Sequence, residues 1–160
     1  MLKIIKWEVI EKYKKYWQRK ESVLVGGCFN IFHYGHLKFL QQAKKQGECL
    51  IISLESDEFI KKNKMREAIH NQRQRAEILS SLEIVDFVIM LPYFSSDKEY
   101  YNLVKKIKPS VIAVTEGDRY LTNKKKQAEM IGSKVKIVSR LLRDFSSKKI
   151  INILKSEFDI

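Results

Sequence analysis

Two histidines, His33 and His36, stand three residues apart, with Tyr34 and Gly35 between them. Gly26-Gly27-Cys28-Phe29-Asn30 lies just before them. Imidazoles placed this way can donate hydrogen bonds to phosphate oxygens, or carry positive charge toward them when protonated. The glycines let a backbone turn sharply and let a ligand approach the main chain closely. The two rings converge on one spot only if the chain turns between them. The chemistry such a set can do is the holding of phosphate.

The elements that must position these residues are legible around them. Val23-Leu24-Val25 is a short aliphatic run that reads as a buried strand. The glycines end it, and from His36 onward Leu37, Leu40 and Ala43 fall at helical spacing. A strand, a Gly-rich turn, a histidine pair and a helix follow in order over residues 22–46. A helix start presents unpaired N–H groups and a partial positive charge, which favours an anion at the same place.

Residues 3–20 read as an amphipathic N-terminal helix. Trp7, Ile10, Tyr13 or Lys14, and Trp17 recur every three to four positions, with lysines opposite. Packing on the domain or on a second copy is the preferred reading over a membrane-surface helix, and the stripe offers a homodimer surface. Buried strands are expected at 48–54, 85–90, 111–114 and 135–138, and helices at 71–82, 95–106 and 122–131, with a last one opened by Ser146 and Ser147. Residues 55–66 read as a basic loop. The alternation predicts an α/β fold of Rossmann-like type: a three-layer sandwich with a five-stranded parallel sheet and an extra N-terminal helix. One domain of residues 1–160 is expected, with the helix in 1–21 and the core in 22–155.

Composition narrows the function classes. The chain has 160 residues, 44% hydrophobic and 31% charged, which are globular values. No apolar run approaches ~20 residues, so no membrane span is expected, and no signal-peptide core opens the chain. A cytoplasmic protein is expected. Cys28 and Cys49, the two cysteines, lack CxxC spacing and read as reduced thiols. The three histidines and two cysteines offer no zinc set at familiar spacing. The net charge of +12 suits nucleic acid, an anionic surface or a small polyanion. No RNA-binding aromatic motif accompanies the lysine clusters, so nucleic acid is the less favoured partner.

The segment Gly27-Cys28-Phe29-Asn30-x-x-His33-x-Gly35-His36 resembles the signature of the cytidylyltransferase-like nucleotidyltransferases, usually Gly-Thr/Cys-Phe-Asp-x-x-His-x-Gly-His. Asn30 stands where that signature has Asp. Further segments are similar to the family's later motifs: Arg75, eleven residues before Asp86; Gly117-Asp118 after the fourth expected strand; and Asp144-Phe145-Ser146-Ser147 before the last helix. The resemblance spans about Val23 to Leu154. It implies transfer of a nucleoside monophosphate from ATP or CTP to a phosphorylated small molecule, a sugar or polyol phosphate, with release of pyrophosphate. It implies catalytic roles for His33, His36 and Lys64, with Lys61 and Lys62 as competitors for the last. It implies nucleotide binding by Gly27, Cys28, Phe29, Asn30, Gly35, Arg75, Gly117, Asp118, Ser146 and Ser147, with Arg73 a competitor of Arg75. Mg²⁺ is the implied cofactor, carried on the phosphates without a dedicated protein cage. A binding or regulatory protein that kept the pocket and lost turnover, and a basic nucleic-acid-binding module, are the two alternatives.

Overall fold

Along the central strands successive side chains enter opposite cores. In Ser22–Gly27 (β2), Val23 and Val25 point to one core and Leu24 to the other. In Cys49–Leu54 (β3), Leu50, Ile52 and Leu54 join the first core, and Cys49 and Ile51 the second. Strands apolar on both faces must be covered on both faces, which requires a parallel sheet between helical layers. The computed structural model has that arrangement and describes residues 3–140 and 145–158.

The sheet has six parallel strands, one more than the sequence suggests. Ile4–Lys6 (β1), Phe87–Met90 (β4), Val111–Thr115 (β5) and Lys134–Ser139 (β6) complete it, in the order β1-β4-β3-β2-β5-β6. Helices Tyr34–Lys44 (α1) and Gln72–Ser80 (α3) supply Leu40, Ala43, Ala76 and Leu79 to the core that holds Val23. Helices Asp97–Ile107 (α4) and Leu121–Glu129 (α5) supply Leu103, Val104 and Ala128 to the core that holds Leu24. Asp57–Lys64 forms a further helix (α2), and Ser147–Phe158 the last (α6).

The N-terminal segment is a correction to the expected helix of residues 3–20. Its first residues are β1, paired with β4 from Ile4↔Val88 to Lys6↔Met90. A 3-10 helix, Trp7–Tyr16, follows. The physical reason lies in the spacing: Trp7, Ile10 and Tyr13 are three apart. A 3-10 helix, with three residues per turn, stacks such positions on one face. All three pack into the second core, and Trp17 beyond them is wholly buried. Its Nε1–H donates to the Ile107 carbonyl at 3.2 Å, satisfying a terminal group of α4. The apolar stripe is therefore folded onto the sheet.

Residues 57–64 are the second correction. The expected basic loop is helix α2, with Ser56 as its N-cap, accepting from Phe59 N–H at 3.1 Å. Asp57 and Glu58 favour its start and the lysines its end.

Strand order determines where a ligand can enter. The chain runs from β2 to β3 to β4 on one side, then crosses to β5 and β6 on the other. Strands β2 and β5 pair only at Val23↔Val111 and Leu24↔Ile112. Beyond those pairs they diverge, so the carboxyl ends of β2 and β5 leave a crevice at the switch point.

Candidate active site

The crevice is a cavity of about 420 Å³. Its walls include Gly26, Gly27 and Cys28 from the end of β2, Ser53 and Glu55 from the end of β3, and Ile112 from β5. Lys64 at the end of α2 also borders it, as do Asp118, Arg119 and Lys124 after β5. The histidine pair lies beside this chamber rather than in its wall.

His33 is the N-cap of α1: its Nδ1 accepts from His36 N–H at 3.4 Å. The neutral ring that makes this bond carries its proton on Nε2, free to donate outward. The His33 and His36 rings stack with centroids 3.8 Å apart. Phe29 and Phe32 flank His36 with centroids at 5.0 and 5.8 Å. Burial, then the neighbouring His33, pushes His36 down to about 3, and burial lowers His33 as well. Both shifts favour the uncharged rings, which offer hydrogen bonds rather than positive charge. Phe29 itself sits at φ 47, a left-handed conformation that costs a non-glycine residue ~1–2 kcal/mol. A Cβ on Gly27 would come within 2.9 Å of its ring.

The start of α6 packs over the start of α1. A Cβ on Gly35 would lie 2.7 Å from the Phe145 carbonyl oxygen, so only glycine permits this approach. The rings of Tyr34 and Phe145 meet edge to face at 5.0 Å. Ser146 Oγ caps α6, accepting from Lys149 N–H at 3.2 Å, and Ser147 is its first residue. Two helix N-termini thus converge beside the chamber, each with the partial positive charge that suits an anion. Asp144 lies outside the described residues.

Three sequence-predicted residues have other duties. Arg75 is 1% exposed and faces inward from α3. It donates to the carbonyls of His70 at 3.1 Å, of Glu55 at 2.9 Å and of Cys28, and to Asp57 Oδ1 at 2.6 Å. It rivets three segments beneath the site, in place of the expected nucleotide contact. Arg73 is exposed and pairs with Glu77 at 2.8 Å. Asn30 accepts from Ile69 N–H at 2.9 Å and donates from Nδ2 to the Glu67 carbonyl at 3.2 Å. A carboxylate cannot make the second bond. Asn30→Asp is therefore expected to lower stability by about 1 kcal/mol, a loss of about 2–4 °C in Tm. An unchanged Tm would show that the 67–69 segment does not depend on the amide.

Gly117, at φ 76, makes the turn after β5, and Asp118 holds that turn through Tyr120 N–H at 2.8 Å and Lys124 Nζ at 2.7 Å. Lys64 borders the chamber and pairs with no carboxylate among the described residues. Burial pushes the Cys28 thiol up to about 11, so it is a wall residue and not a thiolate. No cluster of three His, Cys, Asp or Glu residues fit to hold a metal occurs among the described residues. Asn30, Asp57 and Asp118 are each engaged by protein donors.

Sequence reading missed Glu55 and Tyr100. Glu55 directly follows β3 beside the switch point, a position that the sheet rule marks for ligands. Tyr100, on α4, carries no signal in sequence. Tyr100 Oη donates to Glu55 Oε1 at 3.0 Å. Burial raises Glu55 to about 7, against the pull of Tyr100, Lys124, Arg75 and Lys64.

Glu55 and His36 tie stability to pH in opposite senses. Glu55, an acid raised from 4.5, holds its proton more tightly when folded, so its stability is present at low pH and lost as pH rises toward 7. His36, lowered from 6.5, contributes fully above 6.5 and loses that contribution as pH falls toward 3. Between 4.5 and 6.5 the two slopes oppose each other. Urea denaturation of Glu55→Gln across that window is expected to show stability rising with pH, by up to about 1.4 kcal/mol per unit. His36→Gln is expected to show the reverse slope. Identical slopes in wild type and both variants would contradict the burial of these groups.

The comparisons with known proteins agree with this geometry. The family model described as "Cytidylyltransferase-like" matches residues 24–157. The FAD synthase of Pyrococcus abyssi is 38% identical over 121 residues, covering 75% of this chain and 80% of that protein. The bifunctional protein HldE of Wolinella succinogenes is 38% identical over 120 residues, 72% of this chain. The chain spans only 24% of that relative's length. Among solved structures, the lipopolysaccharide core biosynthesis protein of Thermoplasma volcanium aligns with a TM-score of 0.62 at 24% identity, over 76% of this chain and 95% of that one. A Francisella tularensis pantoate-beta-alanine ligase aligns with a TM-score of 0.63 at 16% identity, over 98% of this chain and 78% of that one. These two likenesses show the shared parallel-sheet fold. The match over most of the chain, together with the histidine turn at the sheet's switch point, makes this protein a member of the cytidylyltransferase-like family of nucleotidyltransferases.

Proposed function

We propose that this protein transfers a nucleoside monophosphate from a Mg²⁺–nucleoside triphosphate to the phosphate of a small-molecule acceptor. The observation that carries this reading is the meeting of the α1 and α6 N-termini at Gly35 and Phe145, beside a chamber of about 420 Å³. The helix starts suit a triphosphate, and the chamber suits the body of a second substrate.

An acceptor phosphate oxygen attacks the α-phosphorus, and the bond from that phosphorus to the bridging oxygen breaks. Pyrophosphate leaves with the electron pair. The acceptor is already a nucleophile, so the protein's tasks are alignment and charge stabilisation. His33 donates from Nε2 to a phosphate oxygen, and His36 sets the position of that ring through its stacking and its backbone N–H. Lys64 adds a cation from the end of α2, and Ser146 and Ser147 hold the phosphate tail at α6. Gly117 and Asp118 shape the nucleoside side.

Thermal shift with ATP, CTP, GTP and UTP in Mg²⁺ tests this reading. A ligand at a hundred times its Kd adds ~2.7 kcal/mol, and one base is expected to stand out, with ATP ahead of CTP. Pyrophosphate release with sugar and polyol phosphates then completes the test. A shift without release for any acceptor would favour a nucleotide-binding regulatory protein. No shift with any triphosphate would overturn the proposal.

A further inference from the structure

The segment that leads away from Lys64 is held with little burial. Helix α2 ends on Met65 in a left-handed conformation, φ 53, where glycine is the usual residue. Residues 65–70 then cross the surface toward α3, with Met65 85% and Ile69 63% exposed. A stretch that buries so little apolar surface takes its course from its hydrogen bonds.

Those bonds lead to the histidine turn. Asn30 Oδ1 accepts from Ile69 N–H at 2.9 Å, and Asn30 Nδ2 donates to the Glu67 carbonyl at 3.2 Å. The next residue, His70, gives its carbonyl to Arg75, which also holds the Cys28 carbonyl. The segment is therefore sewn to residues 28–30 twice: beneath by a buried guanidinium, and on the surface by Asn30. The ion pair of Lys61 with Glu67, 3.5 Å apart, is exposed and adds little. The clasp needs both halves of an amide. One carboxamide supplies a donor for Glu67 and an acceptor for Ile69, whereas a carboxylate supplies acceptors only. The Asn that departs from the family signature thus has a use here that an Asp could not serve.

Three lysines lie on α2 ahead of this segment. Lys61 pairs with Glu67 and Lys62 with Glu58. Lys64, the nearest to the clasp, borders the chamber and pairs with no carboxylate among the described residues. Its ammonium group is directed by the backbone that carries it, so whatever fixes that backbone fixes the cation. We infer that Asn30 is a positioning residue for Lys64: it ties residues 65–70 to the histidine turn, so that the lysine and the histidines meet one triphosphate as a unit. This rests on the transferase reading above. Asn30 acts through the segment and not on the substrate.

The test is a double-mutant cycle on the whole chain, with Asn30→Ala, Lys64→Met and the two together. KM and kcat are measured for the preferred triphosphate, and backbone exchange by NMR in deuterated water. Asn30→Ala is expected to lower kcat/KM about 10-fold, below the ~10²-fold that a 1 Å misplacement can cost. In the Lys64→Met background the same substitution is expected to change it less than about twofold, because the effect travels through the lysine. Asn30→Asp keeps the Ile69 bond alone and is expected to fall between wild type and Asn30→Ala. Exchange of the Ile69 N–H is expected to quicken about 10-fold in Asn30→Ala. That of the Gln74 N–H, which Asn71 caps, should stay unchanged and show that the fold is intact. Equal losses in both backgrounds overturn the inference, as does a wild-type kcat/KM in Asn30→Ala or in Lys64→Met, or an unchanged Ile69 exchange rate. Asn30-dependent exchange in a protein that binds no triphosphate would overturn the transferase reading alone.

Discussion

His36→Ala is expected to cut turnover by about 10²–10³-fold, the scale of losing one preorganised donor at a developing charge. Its imidazole is stacked on His33 at 3.8 Å and enclosed by Phe29 and Phe32. An alanine keeps the backbone N–H that caps His33 but removes the ring stacked on it, so the donor that faces phosphate loses its side support. The triphosphate affinity should fall much less, because the two helix N-termini remain. Single-turnover rates with the preferred nucleotide and acceptor check this. A wild-type rate in the alanine variant would remove the pair from the chemistry. Because burial pushes His36 down to about 3, an acid limb in the rate profile near its ordinary value is not expected to come from it.

Arg75→Met is expected to cost about 3–5 kcal/mol, because buried carbonyls lose their donor at ~1–3 kcal/mol each. The guanidinium side chain is fully covered and holds the Cys28, Glu55 and His70 carbonyls together with Asp57. Its loss leaves several buried acceptors without donors and frees the segments that shape the chamber. Arg75→Lys should recover less than half, since one ammonium cannot reach groups spread over a planar fork. Chemical denaturation of both variants measures this. A loss under 1 kcal/mol would show that water replaces the rivet without penalty.

The four inner strands were legible because both faces of each are apolar, the edge strand β6 because Val135, Ile137 and Val138 form a β-branched run, and the histidine turn because glycine and histidine there have few structural uses. Strand β1 was hidden: Ile4-Ile5-Lys6 is three residues long and merges with the stripe that follows. The stripe itself was read with the wrong period, since spacings of three and four are mixed in Trp7, Ile10, Tyr13 and Trp17. Arg75 was placed on the nucleotide because sequence gives a residue's type and separation but not its direction from the helix. The pocket floor was missed for a related reason. Glu55 acquires its meaning only when Tyr100, 45 positions later, is folded against it.

The N-terminal segment has a consequence for how the chain assembles. Ile4 pairs with Val88, and Trp17 reaches Ile107, 90 residues away in sequence. Contacts of such separation demand closure of a long loop before any is made, which slows folding. During synthesis, β1 and the 3-10 helix leave the ribosome well before their partners exist. At the ~5–20 residues per second of translation, an apolar strand and three large aromatics stay uncovered for several seconds or more. Docking of this strap waits for β4 and α4, as the inner β2–β5 pairing, Val23 with Val111, waits for β5. Trp17 fluorescence is expected to report the docking of the strap.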